Sequence, residues 1–223
     1  MLTNNVSKVK LLFLYFSTLF LIVSVAIACA PKEKNAEILF AKEHSNGYNS
    51  DLKGNYQIEN INTCISAIRQ LQKQGWEIIE QNIKNGISNC VSNTKILGRW
   101  QILNQTPLTI CDTAHNEDGT RQIVKQISEI KYSKLHFIFG TVNDKNLDKI
   151  ITVLPKKAIY YFCKAKIERG FDENLLEERC KEFELFGNCY PSVKSAFESA
   201  KRNTEKEDLI FVGGSTFVVA EII

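Results

Sequence analysis

The sequence predicts an α/β fold: a mostly parallel sheet with helices on both faces. Two observations carry this. From Gly98 to Ile222 the chain alternates short apolar runs with helix-period segments, as a βαβ architecture requires. Leu135–Phe139 and Leu209–Val212 are also almost continuously apolar, as strands covered on both faces must be.

At the start of the chain, Lys8 and Lys10 precede an apolar run, Leu11–Ala28, that ends in Ala26-Ile27-Ala28-Cys29. A charged start, an apolar stretch and small residues before a cysteine read as a lipoprotein signal or membrane anchor. They read equally as sequence foreign to the domain downstream. Residues 30–53 are polar, apart from Ile38, Leu39 and Phe40, a short strand candidate. Ile58, Ile61, Cys64, Ile65, Ile68 and Leu71 recur every three or four residues and predict an amphipathic helix over Tyr56–Lys73, closed by Gly75. Trp76–Ile87 predicts a second helix and Val91–Leu97 a connector. Strands are expected at Leu108–Asp112, Leu135–Gly140, Ala158–Cys163, Leu185–Cys189, Leu209–Val212 and Phe217–Ile222. Helices are expected near Gly119–Ile130, Lys145–Val153, Glu173–Glu184 and Val193–Asn203. The last two strands are separated only by Gly213–Thr216, too short for a parallel crossover, so the final strand is expected to be antiparallel. The layering is Rossmann-like.

Composition narrows the function. The 223 residues carry a net charge of +3, with 44% hydrophobic and 24% charged residues and no basic stripe interleaved with aromatics, which argues against a nucleic-acid partner. Seven scattered cysteines without a C-x-x-C pair fit reduced thiols better than a disulfide framework or a metal site. His136, inside an apolar run, reads as a core histidine. No G-x-x-x-x-G-K-[ST] phosphate loop occurs in the chain.

Polar groups gather at expected strand ends, where open α/β sheets bind ligands. Cys111-Asp112-Thr113-Ala114-His115-Asn116 follows a strand and precedes a helix. Asp112 there could accept from a ribose hydroxyl or bind a cation, and His115 and Asn116 could meet phosphate oxygens. Taken alone, Asp112 and Asn116 read at least as readily as turn and cap residues. Gly98-Arg99-Trp100 could aim a guanidinium at a phosphate, or present a plain surface arginine. Gly213-Gly214-Ser215-Thr216 could approach a ligand closely, or simply form a tight turn.

In sequence order these segments are far more specific. Gly98-Arg99-Trp100-Gln101, Pro107 and Ile110–Asn116, with Phe139-Gly140, Asn143-Asp144-Lys145, Ala165–Arg169 and Gly214–Glu221, resemble the folylpolyglutamate/dihydrofolate synthase family of the Mur ligase superfamily. Lys32–Ala41 and Leu52–Gln57 with Asn60-Ile61 resemble the end of that family's central ATPase domain. The resemblance spans about residues 30 to 223. It implies an ATP-dependent, cytoplasmic ligase that joins L-glutamate to dihydropteroate or folates through an acyl phosphate, with ATP and Mg²⁺ as cofactors. It divides the chain into a signal- or anchor-like 1–29, a central-domain remnant 30–97 and a Mur ligase C-terminal domain 98–223. Asn60, Arg99, Asp112, Asn116 and Ser215 match nucleotide-contacting positions, and His115 a phosphate-side catalytic one. Glu117, Asn146 and Cys163 depart from the family's usual Pro, Asp and Thr.

The family's phosphate loop and Mg²⁺ ligands are absent from the sequence, so the chain is expected to be a carboxy-terminal fragment that is inactive alone. It would work with a separate amino-terminal half, or persist as a non-catalytic nucleotide-binding remnant or a membrane-attached protein through 11–28. The helices of 30–97 are then expected to leave apolar faces partly exposed.

Overall fold

The computed structural model describes residues 40–41, 47–142 and 147–223. The apolar segment 11–28, Cys29, Ile38, Leu39, His44 and Asn143–Asn146 lie outside the described residues. No helix among the described residues is long and apolar enough to cross a membrane. The chain divides into two compact units, one running to Ile96 and the other formed by Leu97–Ile223 with Lys53–Asn55.

The first unit is helical. Helix α1 spans Gln57–Lys73 and ends at Gly75, whose φ of 90° turns the chain away. Helix α2 is Glu80–Ser88, starting later than Trp76 because Trp76–Ile79 leave the helix after that turn. The expected connector over Val91–Leu97 holds a further short helix, α3, at Cys90–Thr94. Its N-terminus is held from far away in sequence: Asp51 accepts from the Val91 and Ser92 amides at 2.9 and 3.2 Å. Periodicity cannot reveal such a cap. Ile65, Ile68, Ile83 and Ile87 bury together in a local core, whereas Ile58 stays 55% exposed, as do Phe40, Trp76 and Ile79 in large part. Phe40 adopts no strand.

The second unit is a six-stranded sheet. In chain order it comprises β1 (Gln101–Gln105), β2 (Leu108–Cys111), α4 (Glu117–Ser128), β3 (Leu135–Phe139), α5 (Leu147–Ile151), β4 (Ile159–Cys163), α6 (Glu173–Lys181), β5 (Gly187–Tyr190), α7 (Val193–Asn203), β6 (Leu209–Gly213) and α8 (Thr216–Ala220). The strand order is β1-β2-β6-β3-β4-β5, parallel throughout except for β1 against β2. Right-handed crossovers put α4, α5 and α6 on one face. The return connection β5-α7-β6 puts α7 on the other, where Val193, Ala196 and Ala200 pack on Ile138, Tyr161, Ile210 and Val212. The first face is aromatic, with Phe137 against Phe139, Tyr160 and Phe211.

Three expectations are corrected. The antiparallel strand of the sheet is the polar β1, not the chain's last segment. Phe217–Ile222 is not a strand: Thr216–Ala220 forms α8, which Ser215 caps by accepting from the Phe217 amide at 3.2 Å. A short apolar run preceded by glycines is compatible with either state. Here Val218 and Val219 both bury against the α7 face, which a helical turn permits and alternation would not. The expected strand at Leu185–Cys189 begins at Gly187 instead. Leu185 is buried, but it belongs to the turn that closes α6, where its amide donates to Cys180 O.

His136 lies in the core as expected, 1% exposed. Its Nδ1 lies 2.9 Å from the Tyr161 hydroxyl and its Nε2 3.2 Å from Asp208. Asp208 also accepts from the Lys134 and Glu205 amides, joining the entry of β3 to the turn before β6.

Candidate functional site

The carboxyl ends of β2, β6, β3 and β4 lie side by side. β2 and β3 lead to helices on one face, while β6 leads to α8 on the other. The crevice at such a reversal is where open α/β sheets bind ligands. Arg99, Asp112, His115, Asn116 and Ser215 all belong to the turns at this edge. Asn60 belongs to the first unit, on α1, where its amide donates to Gln57 Oε1 at 3.0 Å.

Asp112 follows β2 and is 2% exposed. Its Oδ2 accepts from the Trp100 amide at 2.6 Å and its Oδ1 from the Ala114 amide at 2.8 Å. One carboxylate therefore ties the turn carrying Arg99 to the loop carrying His115. Trp100 sits at φ 47°, a costly conformation for a residue with a side chain, held by that bond and by burial of the ring beside Phe211. Gly98, at φ 70°, closes the same turn by accepting from the Thr113 amide at 2.9 Å. A Cβ on Gly98 would lie 2.7 Å from the Thr113 methyl, so no larger residue fits.

Arg99 is half-buried and its Nη1 donates to the Thr113 hydroxyl. His115 is exposed, with Nδ1 3.1 Å from Thr113 O. A carbonyl can only accept, so Nδ1 carries the proton and Nε2 is the acceptor of the neutral ring. Asn116 caps α4, its Oδ1 accepting from the Gly119 amide at 2.8 Å. Ser215, 3% exposed, caps α8. Asp112, Asn116 and Ser215 thus build the edge through backbone hydrogen bonds, whereas Arg99 and His115 bring the chemically useful groups. Burial, with Asp112 adding to it, pushes the Cys111 thiol up to about 12, so the cysteine beneath the site is a neutral packing residue.

The β4–α6 loop forms the next wall. Gly170 bridges to Val142, the Phe171 amide donates to Thr141 O at 3.0 Å, and the Arg169 guanidinium stacks over Phe217 at 5.0 Å. Thr113, Phe217 and Glu221 stand at this edge without having been singled out from the sequence as site residues. The Thr113 hydroxyl, Phe217 and Glu221 each meet a residue of another turn or loop, so local spacing held no signal for those contacts.

The family model for the Mur ligase, glutamate ligase domain matches residues 98–216, the segment that builds this edge. The chain belongs to that family. Its relatives are folylpolyglutamate and dihydrofolate synthases. A probable bifunctional folylpolyglutamate synthase/dihydropteroate synthase of Haloferax volcanii is 30% identical over 173 residues, 76% of this chain and 20% of the relative. A dihydrofolate synthase/folylpolyglutamate synthase of Buchnera aphidicola (Schizaphis graminum) is 30% identical over 165 residues, 73% of this chain and 38% of the relative. Escherichia coli FolC in complex with DHPP and ADP superposes with a TM-score of 0.63 at 26% identity, covering 74% of this chain and 37% of that one. The chain therefore spans well under half the length of these relatives. Among the described residues no group of three or more His, Cys, Asp or Glu could hold a metal ion.

Proposed function

We propose that this chain supplies the nucleotide-covering, carboxy-terminal part of an ATP-dependent ligase that joins L-glutamate to dihydropteroate or a folate. The observation that carries the reading is the convergence of Arg99 and His115 on one sheet edge, in the segment that matches the glutamate ligase domain. Bound there, ATP would supply the phosphoryl group that activates a carboxylate. The chain's own residues would orient it. The Arg99 guanidinium, steadied by Thr113, offers a planar fork to phosphate oxygens. His115 Nε2 can accept from a hydroxyl or, when protonated, donate to an oxyanion. Asp112, Asn116 and Ser215 hold the three turns in place. A cytoplasmic setting, where ATP, folates and L-glutamate meet, belongs to the same reading. Positioning and charge neutralisation dominate such chemistry, and the 223 residues contain no phosphate loop, so the complementary half must bring those groups.

Two measurements test this. An NMR titration of the chain with ADP should shift the amides of Arg99, His115 and Ser215, and an unperturbed edge would sink the nucleotide reading. A single-turnover assay with ATP, dihydropteroate and L-glutamate should give no amide product from the chain alone; product would overturn the need for a complementary half.

A further inference from the structure

Helix α8 is five residues long, too short to hold its own place. Yet it meets the Arg99 turn, the end of β3 and the β4–α6 loop. A Cβ on Gly98 would lie 3.1 Å from Val219, and one on Gly140, after β3, 2.9 Å from Val218. Those glycines let α8 sit directly against the Arg99 turn and the end of β3. On its other side Glu221 Oε1 accepts from the Lys166 amide at 2.5 Å, and the Phe217 ring lies under Arg169, so the β4–α6 loop is fastened to α8 at two separate points. Ser215, whose hydroxyl caps α8, is thereby fixed by residues that do not touch it.

We propose that Glu221 and Phe217 are positioning residues: through α8 they couple the β4–α6 loop to the Arg99 and Ser215 turns, so that the nucleotide edge and the loop wall move as one. The functional part of this inference rests on the nucleotide reading above, whereas the coupling itself does not. An amide donating to a carboxylate is stronger than a neutral pair, and a cation over an aromatic face adds a second, independent tie.

The test is amide hydrogen exchange on the whole chain, combined with the ADP titration, for wild type, Glu221→Ala, Glu221→Gln and Phe217→Leu. In Glu221→Ala the Lys166 amide should exchange about three- to tenfold faster, the worth of one hydrogen bond at this solvent-exposed position. The Ser215–Phe217 amides should accelerate with it, and the ADP-induced shifts at Arg99 and Ser215 should shrink. Glu221→Gln keeps an acceptor oxygen and should restore most of this. Phe217→Leu should loosen Glu168–Gly170 and weaken the ADP shifts in the same way. Acceleration confined to Lys166, or equal effects of Ala and Gln at position 221, would overturn the coupling. Should Glu221→Ala open β3 and β6 as well, Phe217→Leu decides alone. If ADP shifts nothing in the wild type, the nucleotide reading fails while the exchange data still decide the coupling.

Discussion

Asp112 is the residue on which the site's geometry turns. Its sequence context suggested a ligand contact or a turn residue, and the structure gives both carboxylate oxygens backbone amides from two loops. Replacing it with Ala would leave the buried Trp100 amide and the half-buried Ala114 amide without an acceptor and remove what offsets the strained Trp100 backbone. Asp112→Ala should cost about 2–3 kcal/mol, mostly the penalty of orphaning the buried Trp100 donor. Asp112→Asn keeps one acceptor oxygen but turns its NH₂ toward the other amide, so it should cost less than Ala yet remain measurable. Urea unfolding of the three proteins checks the order, and equal stability of Asp112→Ala and wild type would remove Asp112 as the organiser of both turns. Arg99 and His115 were legible as residue types at a strand end. Thr113, which fixes both through its hydroxyl and its carbonyl, was not, because its role exists only once the turns are folded.

At the scale of elements, the opposite end of the sheet carries its own staple. Burial pushes the Asp208 carboxyl up, but the Glu205 amide, His136 and the Lys134 amide together outweigh it and hold the group below its ordinary value. A carboxylate depressed in the folded state stabilises it fully above the unfolded pKa, near 4, and loses that contribution as pH falls through the native value. Chain stability should therefore drop on acidification below about pH 4. Asp208→Asn should lower stability at neutral pH and flatten that limb. Urea midpoints measured from pH 2 to pH 7 test this, and an Asn variant with an unchanged acid limb would remove Asp208 as its cause. Elements defined by strong periodicity, α1, α7 and the buried strands β3 and β6, were readable from sequence. Those defined by partners were not. β1 is polar and exists because β2 pairs with it, α3 because Asp51 caps it, and α8 because Ser215 and the α7 face favour a turn of helix over an edge strand.

At the scale of the molecule, the chain forms two units with separate cores, one aliphatic and one built on the sheet. Among the described residues, six free thiols report on them: Cys64 and Cys90 in the first, Cys111, Cys163, Cys180 and Cys189 in the second. Burial raises every one of these, Cys64 to about 11 and Cys180 to about 12, so little thiolate exists near neutral pH. Alkylation at pH 8 should therefore reach the partly exposed Cys90 and Cys189 first, and Cys111, Cys163 and Cys180 only through unfolding of the second unit. Peptide mapping after timed labelling shows the order. Early modification of Cys163 would mean that the sheet opens far more readily than its packing implies.

The sequence by itself determined the α/β class, the parallel core, the core place of His136 and the family to which residues 98–216 belong. Those properties follow from apolar periodicity and from short motifs whose meaning is local. Only the tertiary structure decided which end of the sheet carries the antiparallel strand, that the last apolar run is helical, and that Asp112 holds two loops together. Each of these depends on partners that meet only when the chain folds. A carboxylate or a valine acquires such a partner only when the chain has folded around it.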